Sequence, residues 1–458
     1  MGQSGLFRHV PYNSAVTKNW TRRDIFAFLF IGVLAAITRF ARLSYSVDQG
    51  TPIFDEKHYV PQSWDMVQSY LPFLGGIESN PGYGLVVHPP LAKQLTAISE
   101  AVFGYTPLGW RVMVASFGVA TVLMIMLLSR ELSSSWKVAL LAGLLATADG
   151  VLLVSSRFGM LDIYLVFFVV SAAWMVVKDR NTAPGCIRWW AIGAGVMLGL
   201  ALSVKWSGAY YIIFFGILTL LWRRGFFTVF ISYALIPSAL YLWSWRAWFA
   251  SETGVYRHAL SDGTVKESSL LHMLPEAPAS WLYYHFSVLK FHASLTTSSG
   301  HSHPWDSKPW SWLIASRPIL YQQSGEYECS LGTCRTSLYL FGTPAIWWVT
   351  IPVLLWAIWC VAIRRDWRFI VPLVGFAAGF IPWLLAYDRQ MYFFYATALV
   401  PFSIVMISLI LGQIGRRKIV VAYMATVAAM FFTFAPIHYG LLIPEEYFNS
   451  IMWLPSWR

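Results

Sequence analysis

The sequence predicts an all-α polytopic membrane protein of about eleven transmembrane helices, and three observations lead there. The chain is 57% hydrophobic and only 12% charged over 458 residues, with a mean hydropathy of +0.55, too apolar for a soluble globule of ordinary composition. Its apolar residues fall in runs close to the ~20 residues a helix needs to cross a bilayer. Its cations gather in short loops between alternate runs, as they do in loops kept on the cytoplasmic side. Helices are the only open-chain element that satisfies every backbone polar group in lipid, and these runs are too long and too uniformly apolar for barrel strands.

In chain order the runs lie near 24–43, 110–129, 136–155, 159–178, 189–204, 207–222, 226–247, 342–363, 367–386, 391–412 and 416–436. With the N-terminus inside, the inner segments hold Arg8, Lys18, Arg22 and Arg23, then Arg130 and Lys137, then Lys178, Arg180 and Arg188. Arg223 and Arg224 follow, then Arg364, Arg365 and Arg368, then Arg416, Arg417 and Lys418, against only Asp24, Glu131, Asp179 and Asp366. The net charge of +11 is therefore a topology signal, and nucleic-acid binding is set aside. An odd number of spans leaves the C-terminus outside. The first run has no small-residue cleavage site after it and reads as a membrane anchor, not a cleavable signal peptide.

No fixed-period repeat or Gly/Ser linker divides the chain, so residues 1–458 read as a single transmembrane catalytic domain. Two long external segments, 44–109 and 248–341, contrast with short inner loops and mark the outer face as the place to look for chemistry. Within the first, 56–75 and 91–104 read as amphipathic pieces lying flat on the membrane. The aromatic-rich end of the chain, Ile443 to Trp457, is expected to rest on the same surface.

Just after the first run stand two adjacent carboxylates, Asp55 and Glu56. Ionisable groups at membrane depth are costly unless they face a cavity, which makes each a site candidate. Arg111, Arg157, Asp162, Lys205, Asp388 and Arg389 all fall at outer ends of spans. Snorkelling to the interface is the plain alternative for any one of them, and the weaker reading for six at one face beside a carboxylate pair. A lipid-phosphate substrate would bring its anion to this level, where Lys and Arg hold it by charge-assisted hydrogen bonds. A phosphate leaving from a sugar departs as an anion and needs electrostatic stabilisation. What remains is a base for an acceptor hydroxyl. Asp55 or Glu56 could supply it, giving inversion by single displacement.

Six motifs stand in order along the chain: Phe54-Asp-Glu-Lys-His-Tyr, Val87-His-Pro-Pro-Leu-Ala-Lys93, Ser156-Arg-Phe-Gly-Met-Leu-Asp162, Val204-Lys-Trp-Ser-Gly208, His303-Pro-Trp-Asp-Ser-Lys-Pro-Trp310 and Asp388-Arg-Gln-Met-Tyr-Phe-Phe-Tyr395. Together they resemble the motif set of protein O-mannosyltransferases, from about residue 50 to 400. The resemblance implies a lipid-phosphate-sugar glycosyltransferase (GT-C type) architecture, with Asp55 as base and Glu56 as its essential neighbour. It implies a polyprenyl-phosphate-mannose donor and transfer to Ser or Thr of an exported polypeptide, met during Sec translocation. Lys205, Arg111, Arg157, His88, Lys93 and Arg389 are the donor- or phosphate-binding candidates. Asp162, Trp206, His303, Trp305, Lys308 and Asp388 complete the set. Ala92 stands where the family often has Gly, a small-for-small change. Segment 248–341 is too short for the β-trefoil insert of eukaryotic members, so the chain resembles an actinobacterial member of the plasma membrane.

In segment 248–341, His301, His303, Trp305, Lys308, Trp310 and Trp312 could form a lid over sugar or acceptor, while interfacial anchoring is the alternative for the aromatics. No cofactor is required by these residues. His301 and His303 raise a divalent metal, but no carboxylate or third His follows at suitable spacing. Cys329 and Cys334 lie where an oxidising compartment would let them pair, the alternatives being free thiols or a metal pair without further ligands. Cys186 and Cys360 read as unpaired small hydrophobes. A rival of the same architecture would glycosylate a lipid or glycan. A transporter or flippase is the rival from another class, but its charges would sit near the midplane.

Overall fold

The computed structural model describes residues 19–45, 50–69, 87–182, 187–222, 225–330 and 332–458. Arg8, Lys18, Cys186, Arg223, Arg224 and the end of the 56–75 segment lie outside the described residues. The chain opens with α1 (Arg22–Phe40), whose N-terminus is closed by a capping box between Thr21 and Asp24. Asp24 also receives Arg130 from α4 (Pro107–Ser133), a buried tie between the first two spans. Between them lie two 13-residue helices, α2 (Glu56–Gln68) and α3 (Leu91–Phe103), at the places expected for interfacial pieces. The third run is broken in two, α5 (Trp136–Ala148) and α6 (Gly150–Ser155). Asp149 makes the break: its carboxylate accepts from Leu152 N (2.9 Å) and from Trp347 Nε1 (2.8 Å). The bundle continues through α7 (Asp162–Arg180), α8 (Trp189–Val204) and α9 (Gly208–Leu221).

Among the described residues, six helices are long and apolar enough to cross a membrane: α4, Phe226–Ser244, Pro344–Ala362, Trp367–Leu385, Phe393–Ile414 and Arg417–Tyr439. The other five runs marked in the sequence coincide with α1 and α7, each 19 residues long with charged ends, and with the shorter α5–α6 pair, α8 and α9. Phe393–Ile414 is the most enclosed of the six, while Arg417–Tyr439 runs along the outside. Side chains pointing outward are large and apolar, among them Phe26, Leu29, Phe227 and Ile363, as suits a protein whose surrounding solvent is hydrocarbon.

The second external segment is not wholly helical. Helix Glu276–Ser294 is followed by β1 (Ile319–Gln323), β2 (Tyr327–Cys329) and β3 (Gly332–Leu340). The chain end adds β4 (Leu442–Pro444), antiparallel to β3 at Arg335 and Ile443. This small sheet was not expected from the sequence. Its strands are short and share one partner, β3, so no long alternating run announces them. A Cys329–Cys334 disulfide closes the β2–β3 hairpin, and Cys360 is a buried free thiol.

Two features hold the outer turn between α6 and α7 against the bundle. Gly118 of α4 faces Ser156 so closely that a Cβ there would come within 2.3 Å of the Ser156 Cβ. Arg157 donates to the carbonyls of Thr38 (3.1 Å), Arg39 (2.8 Å) and Ala41 (2.7 Å), satisfying carbonyls that the end of α1 leaves open.

Candidate active site

Phe54 occupies the left-handed region at φ 48°, uncommon for a bulky residue, and its ring stacks on Tyr321 of β1 at 4.3 Å. That turn sends the next two side chains in opposite directions. Glu56 goes inward and is fully buried. Its carboxylate accepts Arg111 Nε and Nη2, both at 2.8 Å, Gly159 N at 2.7 Å and Ile53 N at 3.1 Å. Arg111, itself buried, spends its remaining nitrogen on the carbonyls of Leu43 (3.2 Å) and Tyr45 (2.7 Å).

Asp55 goes the other way, into a cavity of about 450 Å³, a size that suits a small ligand. Asp162, Lys205, Trp206, His88, His292 and Arg389 share its wall with a cluster of tyrosines. Enclosure by protein raises the Asp55 carboxyl to about 6, against the charges of Lys205 and His58 and a hydrogen bond from Tyr59, which act to lower it. Lys205 Nζ contacts Asp162 Oδ1 at 2.8 Å, joining the start of α7 to the turn between α8 and α9. The second Asp162 oxygen is buried without a partner.

Two imidazoles in this wall, those of His88 and His292, are held below the ordinary value. Burial, with Lys205 nearby, holds His88 well below the ordinary value. Burial and then Arg389 lower His292 to about 4. His292 lies between Arg389 Nη2, 3.0 Å from its Nδ1, and Val87 O, 3.4 Å from its Nε2. A neutral ring with its proton on Nε2 satisfies both contacts, accepting from the guanidinium and donating to the carbonyl. Trp206 Nε1 donates to Tyr241 Oη (2.9 Å), which in turn meets His285 Nε2 (2.7 Å). Lys93, on α3, donates to Gln62 Oε1 (3.1 Å) of α2 and to the His88 carbonyl (3.3 Å), bracing the cavity wall from behind.

The sequence candidates thus divide. Asp55, Asp162, His88, Lys205, Trp206 and Arg389 meet around one cavity. Glu56, Arg111, Arg157 and Lys93 are placed behind it as internal ties. His303, Trp305, Lys308 and Asp388 form an outer scaffold instead of lining it. Lys308 Nζ binds Asp306 (3.0 Å) and the carbonyl of Arg389 (2.9 Å), and Asp388 accepts from Ser298 N (3.2 Å). His303 Nδ1 accepts from Trp305 N (3.1 Å), and the Trp305 ring lies under Arg317. Sequence reasoning missed Tyr59, His292 and Trp383. His292 stands in Lys-Phe-His-Ala-Ser, with no motif to flag it. Among the described residues no group of three or more His, Cys, Asp and Glu side chains is gathered for a metal ion.

Known proteins resemble this chain along most of its length. Residues 108–255 match the family model described as dolichyl-phosphate-mannose-protein mannosyltransferase. Residues 278–457 match the C-terminal four-transmembrane region of protein-O-mannosyltransferase. A polyprenol-phosphate-mannose–protein mannosyltransferase of Corynebacterium glutamicum is 56% identical, over 96% of this chain and 94% of the relative. The corresponding protein of Mycobacterium tuberculosis is 42% identical over 93% and 91%. The Saccharomyces cerevisiae protein O-mannosyltransferase Pmt1-Pmt2 complex bound to the sugar donor superposes with a TM-score of 0.78, at 16% identity, over 97% of this chain and 94% of that one.

Proposed function

This chain belongs to the protein O-mannosyltransferase family, and from that premise we propose that it moves mannose from polyprenyl-phosphate-mannose to Ser or Thr hydroxyls by a single inverting displacement with Asp55 as base. It is a glycosyltransferase of the membrane. The observation that carries the mechanism is the divergence of the two carboxylates: one faces the cavity with its pKa near the working range, the other is consumed by a buried arginine.

In this reading the donor's sugar phosphate occupies the cavity with its lipid tail in the membrane, and the acceptor hydroxyl approaches Asp55. The carboxylate takes the hydroxyl proton as the oxygen attacks the anomeric carbon. The bond from that carbon to the phosphate oxygen breaks, and polyprenyl phosphate leaves as an anion. Lys205 and Arg389 stabilise that anion. Asp162 holds the Lys205 ammonium in place, and His292 does the same for the Arg389 guanidinium. His88, neutral in a ring of cations, can both donate and accept, which suits a sugar hydroxyl better than a phosphate. Glu56 and Arg111 act by fixing the turn that aims Asp55, so Arg111 and Arg157 are assigned to the frame and not to the phosphate.

The charge asymmetry of the loops supports a cytoplasmic N-terminus, with the cavity and C-terminus extracytoplasmic in the plasma membrane. On that side an unfolded exported chain emerging from Sec would present its hydroxyls, and membrane lipids would bathe the spans. Labelled polyprenyl-phosphate-mannose incubated with the membrane-embedded protein and a Ser/Thr-rich peptide tests the reading. Base-labile label in peptide hydroxyls, with inverted anomeric configuration, is expected. Label confined to lipid or glycan would overturn the acceptor assignment, and retained configuration would overturn the mechanism.

A further inference from the structure

At the end of the bundle away from Asp55, a second cavity of about 210 Å³ lies between the C-terminal ends of α4 and α7 and the turn that opens helix Trp367–Leu385. α7 is the ruler between the two cavities. Asp162 at its start lines the first and Arg180 at its end lines the second. Nineteen residues at 1.5 Å each give ~28 Å, close to the hydrocarbon thickness of a bilayer. The second cavity therefore sits at headgroup depth in the opposite leaflet.

Its wall has two characters. Leu132, Val177 and Val371 are apolar, whereas Arg180, Arg365 and Arg368 stand against Glu131 and Asp366. Both carboxylates have cations already. Asp366 accepts from Arg368 Nε (2.8 Å) and Nη2 (2.6 Å), and Glu131 lies 3.8 Å from Lys178. Arg365 is exposed and enters no ion pair among the described residues. The Arg180 guanidinium is flanked by the rings of Trp222 and Trp367, 5.2 and 6.0 Å from their centroids. Gln413 Nε2 donates to Asp366 Oδ2 (3.0 Å), which draws in the turn that carries Arg416, Arg417 and Lys418.

Retention of cations in cytoplasmic loops explains the sign of this charge. It does not call for a cavity with an apolar wall and an arginine held between two indoles. We infer that this cavity binds the phosphate of an anionic phospholipid in the leaflet opposite the active site. Arg365 and Arg180 grip the phosphate, whose oxygens match the guanidinium fork, and the acyl chains lie along Val177 and Val371. Basic pockets between transmembrane helices are suited to such headgroups. The bound lipid fixes the height of α7, which carries Asp162 at its other end.

The test is native mass spectrometry of the purified full chain in neutral detergent, titrated with phosphatidylglycerol, with phosphatidylcholine and with inorganic phosphate. Wild type is compared with Arg365→Gln and with the double variant Arg180→Gln, Arg365→Gln. One tightly retained phosphatidylglycerol is expected, bound in preference to phosphatidylcholine. The single variant should weaken it about ten-fold, the loss of roughly one charge-assisted hydrogen bond, and the double variant should abolish the preference. An unchanged melting midpoint of Arg365→Gln in phosphatidylcholine confirms that the fold is intact, since that side chain is exposed. Equal binding of the two lipids, or undiminished preference in the double variant, would overturn the inference. Displacement by millimolar inorganic phosphate would make this a free-phosphate site and overturn the lipid assignment.

Discussion

Removing the Glu56 carboxylate should damage the protein by a route different from loss of chemistry. Glu56 is fully buried and accepts four hydrogen bonds, two of them from the buried Arg111. Glu56→Ala leaves that guanidinium without its counter-charge and the Gly159 and Ile53 amides without an acceptor. Breaking a buried ion pair from one side costs about 3–5 kcal/mol. With an unfolding entropy of roughly 2 cal/mol/K per residue over 458 residues, that is a fall of roughly 3–5 °C in melting midpoint. The assay is thermal unfolding of detergent-purified protein followed by intrinsic fluorescence, with transfer activity measured well below the midpoint. Glu56→Ala with Arg111→Leu should recover part of the lost stability, because the stranded charge goes with its partner. A Glu56→Ala protein that melts like wild type yet transfers nothing would refute this account and make Glu56 a chemical participant.

Three further outcomes are expected. The Asp55 carboxyl stands at about 6, raised by burial, and a base must be ionised, so the turnover rate should be level above that pH and fall about ten-fold per unit below it; a profile level down to pH 4.5 would remove Asp55 from the role. Arg389→Met should raise KM for the donor at least ten-fold, and His292→Ala should raise it less, with His292→Asn recovering part because its amide can still accept from Arg389; equal kcat and KM in all three would dismiss both residues. Glu100 is buried beside Ser63, and burial raises its carboxyl from 4.5 to about 8. The folded protein holds that proton more tightly than the unfolded chain, so stability is complete below about pH 4.5 and is lost as pH rises toward 8. Glu100→Gln should therefore melt higher than wild type at pH 8 and equal to it at pH 5, and a lower midpoint at both would show that the carboxylate is needed charged.

Much of the fold was legible because lipid imposes long, uniformly apolar helices. Less legible was where helices break. Asp149 splits one run by capping α6, an event set by a single tertiary contact with Trp347. The small sheet depends on β4 arriving from the end of the chain, which no local pattern foretells. In the site, residue type and span end pointed to Asp55, Asp162, Lys205 and Arg389, which the fold gathers around one cavity. The same signal also picked Arg111 and Arg157, because a cation at the end of a span looks alike whether it faces a ligand or caps a helix. Only the direction of the side chain separates them: Arg157 turns to the carbonyls of α1 and Arg111 to Glu56. Asp55 and Glu56, adjacent in sequence, were likewise inseparable until the left-handed Phe54 turned them apart.

Mannosyl transfer by Asp55→Asn, with donor binding and melting midpoint measured on the same preparation, tests the central claim most directly. Burial disfavours the charged Asp55, so a neutral isostere should fold at least as well as wild type and bind the donor. The account predicts that such a protein transfers no mannose to peptide at any pH. Transfer at or near the wild-type rate would contradict it, and the base would have to be sought elsewhere in the cavity.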